Sequence, residues 1–315
     1  MKQVLWKLAS MILTLLIVSF LVFLAFDIIP GDPALAKLGT EATPEQLAAL
    51  RADWGLDRPF LIRYFDWLFS FIKGDMGVSY RYPQTVAEMI SGKLPITITM
   101  VLMAFTVIVA VSIPLGIFSA RHQGGVLDHS ITVGNQLLMA IPPFFSGILI
   151  TFFFGVILKF FQPGNFVSYT QSFGGFLLYM IFPSLAISIP KIAMCVKLLR
   201  ASILEQWPLD YVRTAYSRGN RTMQVLYRHV LQNAMIPVVT FLGMTLADMV
   251  AGSIIIEQVF NIPGIGRILL TSIANRDYPV VEAIVMLIAF VVVFVNFSVD
   301  VLYRILDPRM RREDS

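Results

Sequence analysis

Charged residues are scarce in this sequence: 14% of its 315 residues are Asp, Glu, Lys or Arg, and 57% are hydrophobic. A soluble domain carries about 25% charged residues, so the composition favours a membrane protein. The net charge of +4 is small and no long basic run occurs, which argues against nucleic acid as a partner. The single cysteine, Cys195, excludes an intrachain disulfide, and its apolar neighbours predict a small packed core residue.

The motifs of two common enzyme classes are also missing. The sequence has no Gly-x-x-x-x-Gly-Lys-(Ser/Thr) phosphate loop, so we expect no ATP hydrolysis by this chain. It has no His-Glu-x-x-His motif and no other cluster of residues that would select a metal. We therefore expect no catalytic residues, no metal ligands and no cofactor held by this chain.

Six segments are long and apolar enough to cross about 30 Å of hydrocarbon, which takes roughly 20 helical residues. They are 8–26, 94–120, 137–158, 176–196, 230–256 and 280–302. The fourth is interrupted by Pro183, Pro190 and Lys191, and the fifth contains Asp248. The first is longer than the apolar core of a signal peptide and no small-residue cleavage site follows it, so we expect a retained anchor. The predicted fold class is an all-α membrane protein with about six transmembrane helices.

Positive charges predict the orientation, because the cytoplasmic loops of membrane proteins are enriched in Lys and Arg. The N-terminus, the segment 197–228 and the tail carry 12 of the 24 Lys and Arg residues and lie on one side if there are six spans. The long segment 30–93 on the other side has mixed charge, and long loops count little in this rule. Both termini are therefore expected in the cytoplasm. The predicted organisation is an anchor span at 1–29, an extracytoplasmic segment at 30–93, a core transmembrane domain at 94–303 and a cytoplasmic tail at 304–315.

The segment 30–93 contains two helix signals. Thr43, Pro44 and Gln46 have the pattern of a capping box with proline at the first helical position, and the helix is expected to end near Gly55. The stretch 59–73 places aromatic residues at helical spacing. Such a stripe is typical of packing against a membrane bundle, and it would also suit docking of an external partner.

The segment 208–219 has the pattern of a short amphipathic helix outside the membrane. Pro208 suits its start, Asp210 lies in its first turn, Arg218 lies in its last turn, and Gly219 suits the residue after its end. The apolar face predicted by helical spacing consists of Leu209, Val212 and Tyr216. Such a face is buried either in the bilayer surface or in a groove on another protein, and the pattern alone allows both.

This segment resembles the EAA loop of ABC-importer permeases. Its sequence RTAYSRG at 213–219 matches that loop at Thr214, Ala215 and Gly219, whereas Arg213 stands where the loop has an acidic residue. The form DYVRTA at 210–215 is similar to the dipeptide, oligopeptide and nickel branch of the family. Further segments resemble this branch in the same order, at 29–33, 55–59, 74–79, 233–237, 257–260, 263–266, 276–280 and 307–311.

The resemblance implies a type I ABC importer permease fold in the bacterial inner membrane, and the role of the first of two related permeases. The partners it implies are a second permease, two cytoplasmic ATPase subunits that bind ATP and Mg²⁺, an extracytoplasmic substrate-binding protein and membrane lipid. A coupling helix at about 208–219 would dock on an ATPase subunit. The docking residues implied by the resemblance are Asp210, Tyr211, Arg213, Thr214, Ala215 and Gly219.

The function that the resemblance implies is a transport subunit, not an enzyme, which imports di- or oligopeptides. Nickel or a metal chelate is the alternative cargo. Lys191 and Asp248 are charges inside predicted spans, where a charge costs about 2.5–3.5 kcal/mol on insertion scales and normally faces a cavity or a partner. They are expected either to line the translocation path or its gate, or to form a structural pair within the bundle.

Two other classes of function were weighed. A gradient-driven secondary transporter would use Asp248 as a coupling residue, but that class usually has an internal repeat, and none is evident between the halves of this sequence. A membrane-embedded enzyme would need acid, base or metal groups that converge at one depth. The few charges inside the spans do not form such a set.

Overall fold

The computed structural model describes residues 2–28 and 31–306, which are predominantly helical. Within these ranges no strand is present, and the β-type pairing is limited to an isolated bridge between Val78 and Thr85. The all-α prediction is confirmed for this part of the chain. The motif at 307–311, most of the predicted tail and the first two residues of the 29–33 motif lie outside the described residues.

The helices are numbered here in chain order. They are α1 (Lys2–Ile28), α2 (Pro33–Leu38), α3 (Pro44–Asp53), α4 (Phe60–Ile72), α5 (Val86–Ser91), α6 (Leu94–Arg121), α7 (Val126–Ala140), α8 (Pro143–Ile150), α9 (Phe173–Gln206), α10 (Asp210–Ser217), α11 (Thr222–Val225), α12 (Leu231–Val259), α13 (Ile265–Ala274) and α14 (Tyr278–Leu306). In the described ranges, five helical segments are apolar and long enough to cross a membrane, or six if one bent pair counts as a single span. The prediction of about six transmembrane helices is confirmed.

The third predicted span, 137–158, differs from the structure. The chain forms two helices there, α7 and α8, which are bent by 102° at the break between them. Ile141 lies in the break with an extended backbone (φ −82°, ψ 118°), because the ring of the following Pro142 disfavours helical geometry in the residue before it. A π-helical segment, Thr151–Ile157, then continues α8.

The fourth predicted span, 176–196, is continuous in the structure, whereas the sequence predicted interruptions. Pro183 and Pro190 were expected to interrupt it, yet α9 runs without a break for 34 residues. Proline is tolerated inside membrane helices when neighbouring groups compensate for the missing backbone hydrogen bond. Packing also holds α9 in place, because it contacts α7, α8 and α12.

The described residues form two compact units. Unit 1 contains those within Met1–Thr97 and Pro263–Phe294, and unit 2 contains those within Ile98–Ile262 and Val295–Ser315. In unit 1, Tyr64 and Leu68 of α4 pack against Phe23 of α1, and a 2.9 Å hydrogen bond joins the hydroxyls of Tyr64 and Ser19. The aromatic stripe at 59–73 therefore packs within the chain, as the first of its two interpretations expects.

The predicted start of the first outer helix is also confirmed in unit 1. Thr43 and Gln46 cap α3 reciprocally, and Pro44 is its first residue. The helix ends at Asp53, and Gly55 follows with a positive φ of 68°. The division of the chain into 1–29, 30–93, 94–303 and 304–315 stays a prediction.

Small residues allow close packing around α9 in unit 2. A Cβ atom added to Gly116 would lie 2.9 Å from the side chain of Leu199, so α6 and α9 approach each other at this glycine. Cys195 is buried and accepts a 3.1 Å hydrogen bond from the Ser112 hydroxyl, which confirms its predicted place in the core. Helices in membranes associate through such small residues, because lipid provides no hydrophobic driving force between them.

Candidate functional site

The predicted coupling helix is α10, Asp210–Ser217, which follows the end of α9. It starts two residues after Pro208, and Leu209 precedes it with no side chain capping the N-terminus. The expected start at Pro208 is therefore wrong by two residues. The predicted C-terminal end is correct, because Gly219 lies just beyond the helix with a φ of 80°, a left-handed conformation that favours glycine.

The two faces of α10 differ from the predicted pattern. Val212 and Ala215 are buried within the chain, at 2% and 5% exposure. Leu209 and Tyr216, which were expected to share a face with Val212, remain 42% and 36% exposed. Ala215 therefore packs against its own chain, and its predicted docking role stays a prediction.

The remaining predicted docking residues lie on the outer side of α10 or at its ends. Arg213, Thr214 and Gly219 are exposed, and Tyr211 is half-buried. Asp210 is 97% exposed on its side chain and lies 3.6 Å from Arg213, an ion pair that contributes little stability because water screens it. The surface left for another protein thus combines exposed polar groups with two exposed apolar side chains.

Two hydrogen bonds fix α10 to neighbouring segments. The Tyr211 hydroxyl donates to Oε1 of Gln206 at the end of α9, at 2.9 Å. The side-chain amide of Asn220 donates to the carbonyl of Ala215 at 3.0 Å. The first bond links the start of α10 to the end of α9, and the second caps the C-terminal end of α10.

The Lys191 ammonium on α9 forms an ion pair with the Asp248 carboxylate on α12, so the structure brings these two predicted residues together. Asp248 is 62% exposed on its side chain and Lys191 is 26% exposed. Both lie in helices that are apolar and long enough to span a membrane. A charge exposed at such depth is too costly to face lipid, so the pair is expected to face water or another protein.

Unit 2 also contains a second charged cluster, which the sequence did not predict. Arg200 of α9 forms a bidentate ion pair with Asp128 of α7, and Asp128 is only 2% exposed. The Ser119 hydroxyl and the Gly124 amide also donate to this carboxylate, at 2.6 and 3.0 Å. A lone aspartate between apolar stretches gives no signal of such burial, because its partner lies 72 residues away along the chain.

In unit 1, two of the motifs that carry the family resemblance meet each other. Asp277, from the segment 276–280, accepts hydrogen bonds from the Ser79 hydroxyl and from the backbone N–H of Tyr80, the latter at 2.8 Å. Burial, together with the nearby Glu282 carboxyl, raises the pKa of Tyr80 above its ordinary range. These motif residues therefore have a structural role in joining two distant segments.

Comparison with known families covers nearly the whole chain. The family described as "Binding-protein-dependent transport system inner membrane component" matches residues 112–312. The family described as "Binding-prot-dependent transport system membrane comp, N-term" matches residues 1–101. Together the matches include the coupling helix, both charged pairs and the outer segment.

Curated relatives match over almost their full length. A probable peptide ABC transporter permease protein of Sinorhizobium fredii is 32% identical over 308 residues, which is 98% of each chain. A putative peptide transport system permease protein of Brucella abortus is 34% identical over the same coverage. The oligopeptide transport system permease protein AppB of Bacillus subtilis is 31% identical over 94% of this chain and 95% of its own.

Proposed function

Because this chain belongs to the family of binding-protein-dependent transport system inner membrane components, we propose that it is the permease subunit through which an ABC importer passes di- or oligopeptides. The relatives named as peptide permeases support this cargo over nickel or a metal chelate. We propose that the chain itself performs no catalysis and holds no cofactor. ATP and Mg²⁺ would be bound by ATPase subunits in the cytoplasm.

The observation that carries the proposal is the outer face of α10. Leu209 and Tyr216 are apolar and exposed there, beside the polar groups of Arg213 and Thr214. An exposed apolar pair rimmed by polar residues suits the groove of a partner protein. When ATP draws two ATPase subunits together, α10 would be carried with its groove and α9 would follow, so that access switches from one side of the membrane to the other.

The Lys191–Asp248 pair supports a translocation path beside α9 and α12. We propose that its exposed side faces the translocation path or the second permease, where water or protein groups solvate the charges. A related permease, a substrate-binding protein outside and surrounding lipid complete the proposed assembly. Both termini would lie in the cytoplasm, since the Lys- and Arg-rich segments share that side.

The test is purification of the tagged chain from its own membranes, followed by identification of the bound subunits and by peptide transport in proteoliposomes. We expect an ATPase pair and a second permease to co-purify and to import peptides with ATP. Leu209→Glu and Tyr216→Glu should lose the ATPase while the second permease stays bound. Val126→Glu is the control, because Val126 is also apolar and 84% exposed but lies outside α10.

Other results would contradict the proposal in different ways. ATPase retention in both α10 variants would show that docking occurs elsewhere. ATP-driven import of nickel, but not of peptides, would support the permease role and show that the cargo is nickel. Transport by the purified chain without ATP would instead support the gradient-driven carrier.

A further inference from the structure

Unit 1 contains a cavity of about 810 Å³ that the coupling and path residues do not use. Its walls come from the end of α1, the end of α3, α4, the segment 75–80 and the start of α14. Pockets that bind small molecules in proteins usually measure about 300–1,000 Å³. The cavity thus has the size of a binding site for an organic molecule, and we call it the Glu282 pocket after its most buried acidic residue.

The lining of the Glu282 pocket is acidic. Seven of its lining residues are Asp or Glu and three are Arg, so the acidic residues outnumber the basic ones by four. All three arginines are already paired with lining aspartates. They are Arg51 with Asp32, Arg58 with Asp66, and Arg63 with Asp27. The other four acidic residues of the lining therefore form no direct ion pair with these arginines.

Glu282 is the carboxyl that sets this pocket apart from a solvated acidic surface. It is 6% exposed, and its carboxyl forms no hydrogen bond with any residue that the structure describes. The positive charge of Arg63 acts on this carboxyl, although the Arg63 guanidinium pairs with Asp27 and donates to the Leu56 carbonyl at 3.1 Å. A donor that enters the cavity would therefore add the hydrogen bond that the carboxyl lacks.

Aromatic rings form the rest of the wall. Trp54 and Tyr80 stack with their ring centroids 3.9 Å apart and their planes 5° apart, and Trp67 also lines the cavity. Aromatic faces attract cations through their quadrupoles and favour organic cations such as ammonium groups. A bare metal ion would use neither these rings nor a volume of this size.

From the buried carboxyl, the acidic excess and the aromatic wall, we infer that the Glu282 pocket binds a small organic cation, whose primary ammonium group pairs with Glu282. The inference does not depend on the cargo of the proposed importer. A failure of peptide transport would leave it intact, and the probes below are therefore amines that are not peptides.

The experiment uses the full chain in lipid nanodiscs with its co-purifying subunits, titrated calorimetrically with phenethylamine and with N-acetylphenethylamine. The two probes share a ring and differ in their charged amino group. We expect the amine to bind at least about tenfold more tightly than its acetylated form, since only the amine carries a positive charge that can pair with the carboxyl. Glu282→Gln should remove this preference.

Two further variants separate binding from folding. Glu41→Gln is the matched control, because Glu41 is an exposed carboxyl of unit 1 outside the lining and should leave amine affinity unchanged. Ser70→Lys places a cation on an exposed lining residue and should weaken the amine about tenfold by like-charge repulsion. Without a ligand, Glu282→Gln should keep or raise the melting temperature, because it removes a buried carboxyl that forms no hydrogen bond with the described residues.

Several results would overturn the inference. Equal affinity for the amine and its acetylated form would show that the pocket does not recognise charge. Unchanged affinity in Glu282→Gln and Ser70→Lys would place amine binding elsewhere. Binding of NiCl₂ or CaCl₂ that depends on Glu282, with no binding of the amine, would replace the organic cation with a metal.

Discussion

Arg200 of α9 donates two 2.6 Å hydrogen bonds, from Nε and Nη2, to the two carboxylate oxygens of Asp128 of α7. With the donors from Ser119 and Gly124, the carboxylate accepts four hydrogen bonds. The cluster joins the end of α6, the following turn and α7 to the helix that leads into α10. It therefore stabilises the part of unit 2 that leads into α10.

The first prediction concerns removal of this carboxylate. Asp128→Ala should lower the stability of the purified complex by about 1–3 kcal/mol, because the half-buried Arg200 and the buried Ser119 hydroxyl would lose their acceptor. Thermal unfolding with a tryptophan probe measures the loss. Asp210→Ala, at a side chain that is 97% exposed, is the control and should change stability by less than about 0.5 kcal/mol. Equal melting temperatures for both variants would contradict the assigned role.

The second prediction concerns the contact of Gly116 with Leu199. Gly116→Ala should destabilise unit 2, because the new methyl group would meet Leu199 at 2.9–3.1 Å. Gly134→Ala is the matched control, since a Cβ atom there meets no atom within 4 Å. It should stabilise α7 by about 0.5–1 kcal/mol, the helix preference of alanine over glycine. Denaturant melts of the two variants should shift in opposite directions.

The third prediction tests whether the Lys191–Asp248 pair serves the path. Asp248→Asn and Lys191→Ala should each lower peptide transport by about tenfold in assembled complexes, if the exposed charges contact the cargo or its gate. The exchange Lys191→Asp with Asp248→Lys restores the pair but reverses its polarity. Recovery of stability without transport would support a path role. If both single variants transport at the unmutated rate, the pair has a structural role only.

The fourth prediction uses two glycines with similar positive φ values. Gly219 and Gly39 have φ values of 80° and 85°, and a Cβ atom at either meets nothing within 4 Å. Gly219→Asp and Gly39→Asp each place a side chain at a positive φ, which strains the backbone by on the order of 1–3 kcal/mol. Only Gly219→Asp should reduce ATP-driven transport and ATPase retention. An equal loss in both variants would attribute the effect to strain.

The fifth prediction concerns orientation. Cys195 is the only cysteine of the sequence and is buried, so the unmutated chain should resist maleimide labelling. A cysteine in place of Glu41 should react with a membrane-impermeant maleimide in intact spheroplasts. A cysteine in place of Arg218, which is also exposed, should react only after the membrane is opened. The reverse pattern would invert the topology predicted from the Lys and Arg residues.

Local patterns in the sequence predicted most of the helices. Spans at 8–26, 94–120, 230–256 and 280–302 lie within helices of the structure, because about 20 consecutive apolar residues are sufficient for a membrane helix. The Thr43–Gln46 capping box and the Gly219 terminus were found for a similar reason, since each depends on residues within one turn.

Prediction was poorer wherever packing competes with a local rule. The break after Ala140 has a local cause in Pro142, but the residues on both sides are apolar, so the stretch was predicted as one continuous span. Pro183 and Pro190 have the same local preference, and the packing of α9 overrides it. In α10, helical spacing placed Val212 with Leu209 and Tyr216, whereas the structure buries Val212 with Ala215. Spacing identifies amphipathic character but not the surface that each side chain meets.

The sequence by itself determined the membrane class, the helical fold, the short helix that ends before Gly219 and the family. These features depend on composition and on residues close together in the chain. Only the tertiary structure decided that Arg200 meets Asp128, that Lys191 meets Asp248 and that Asp277 meets Ser79, across 72, 57 and 198 residues. It also decided that Glu282 is buried in an acidic pocket, with no hydrogen bond to its carboxyl from the part of the chain that the structure describes. A side chain's partners across such distances are set by how helices pack, and that packing has no local signature in the sequence.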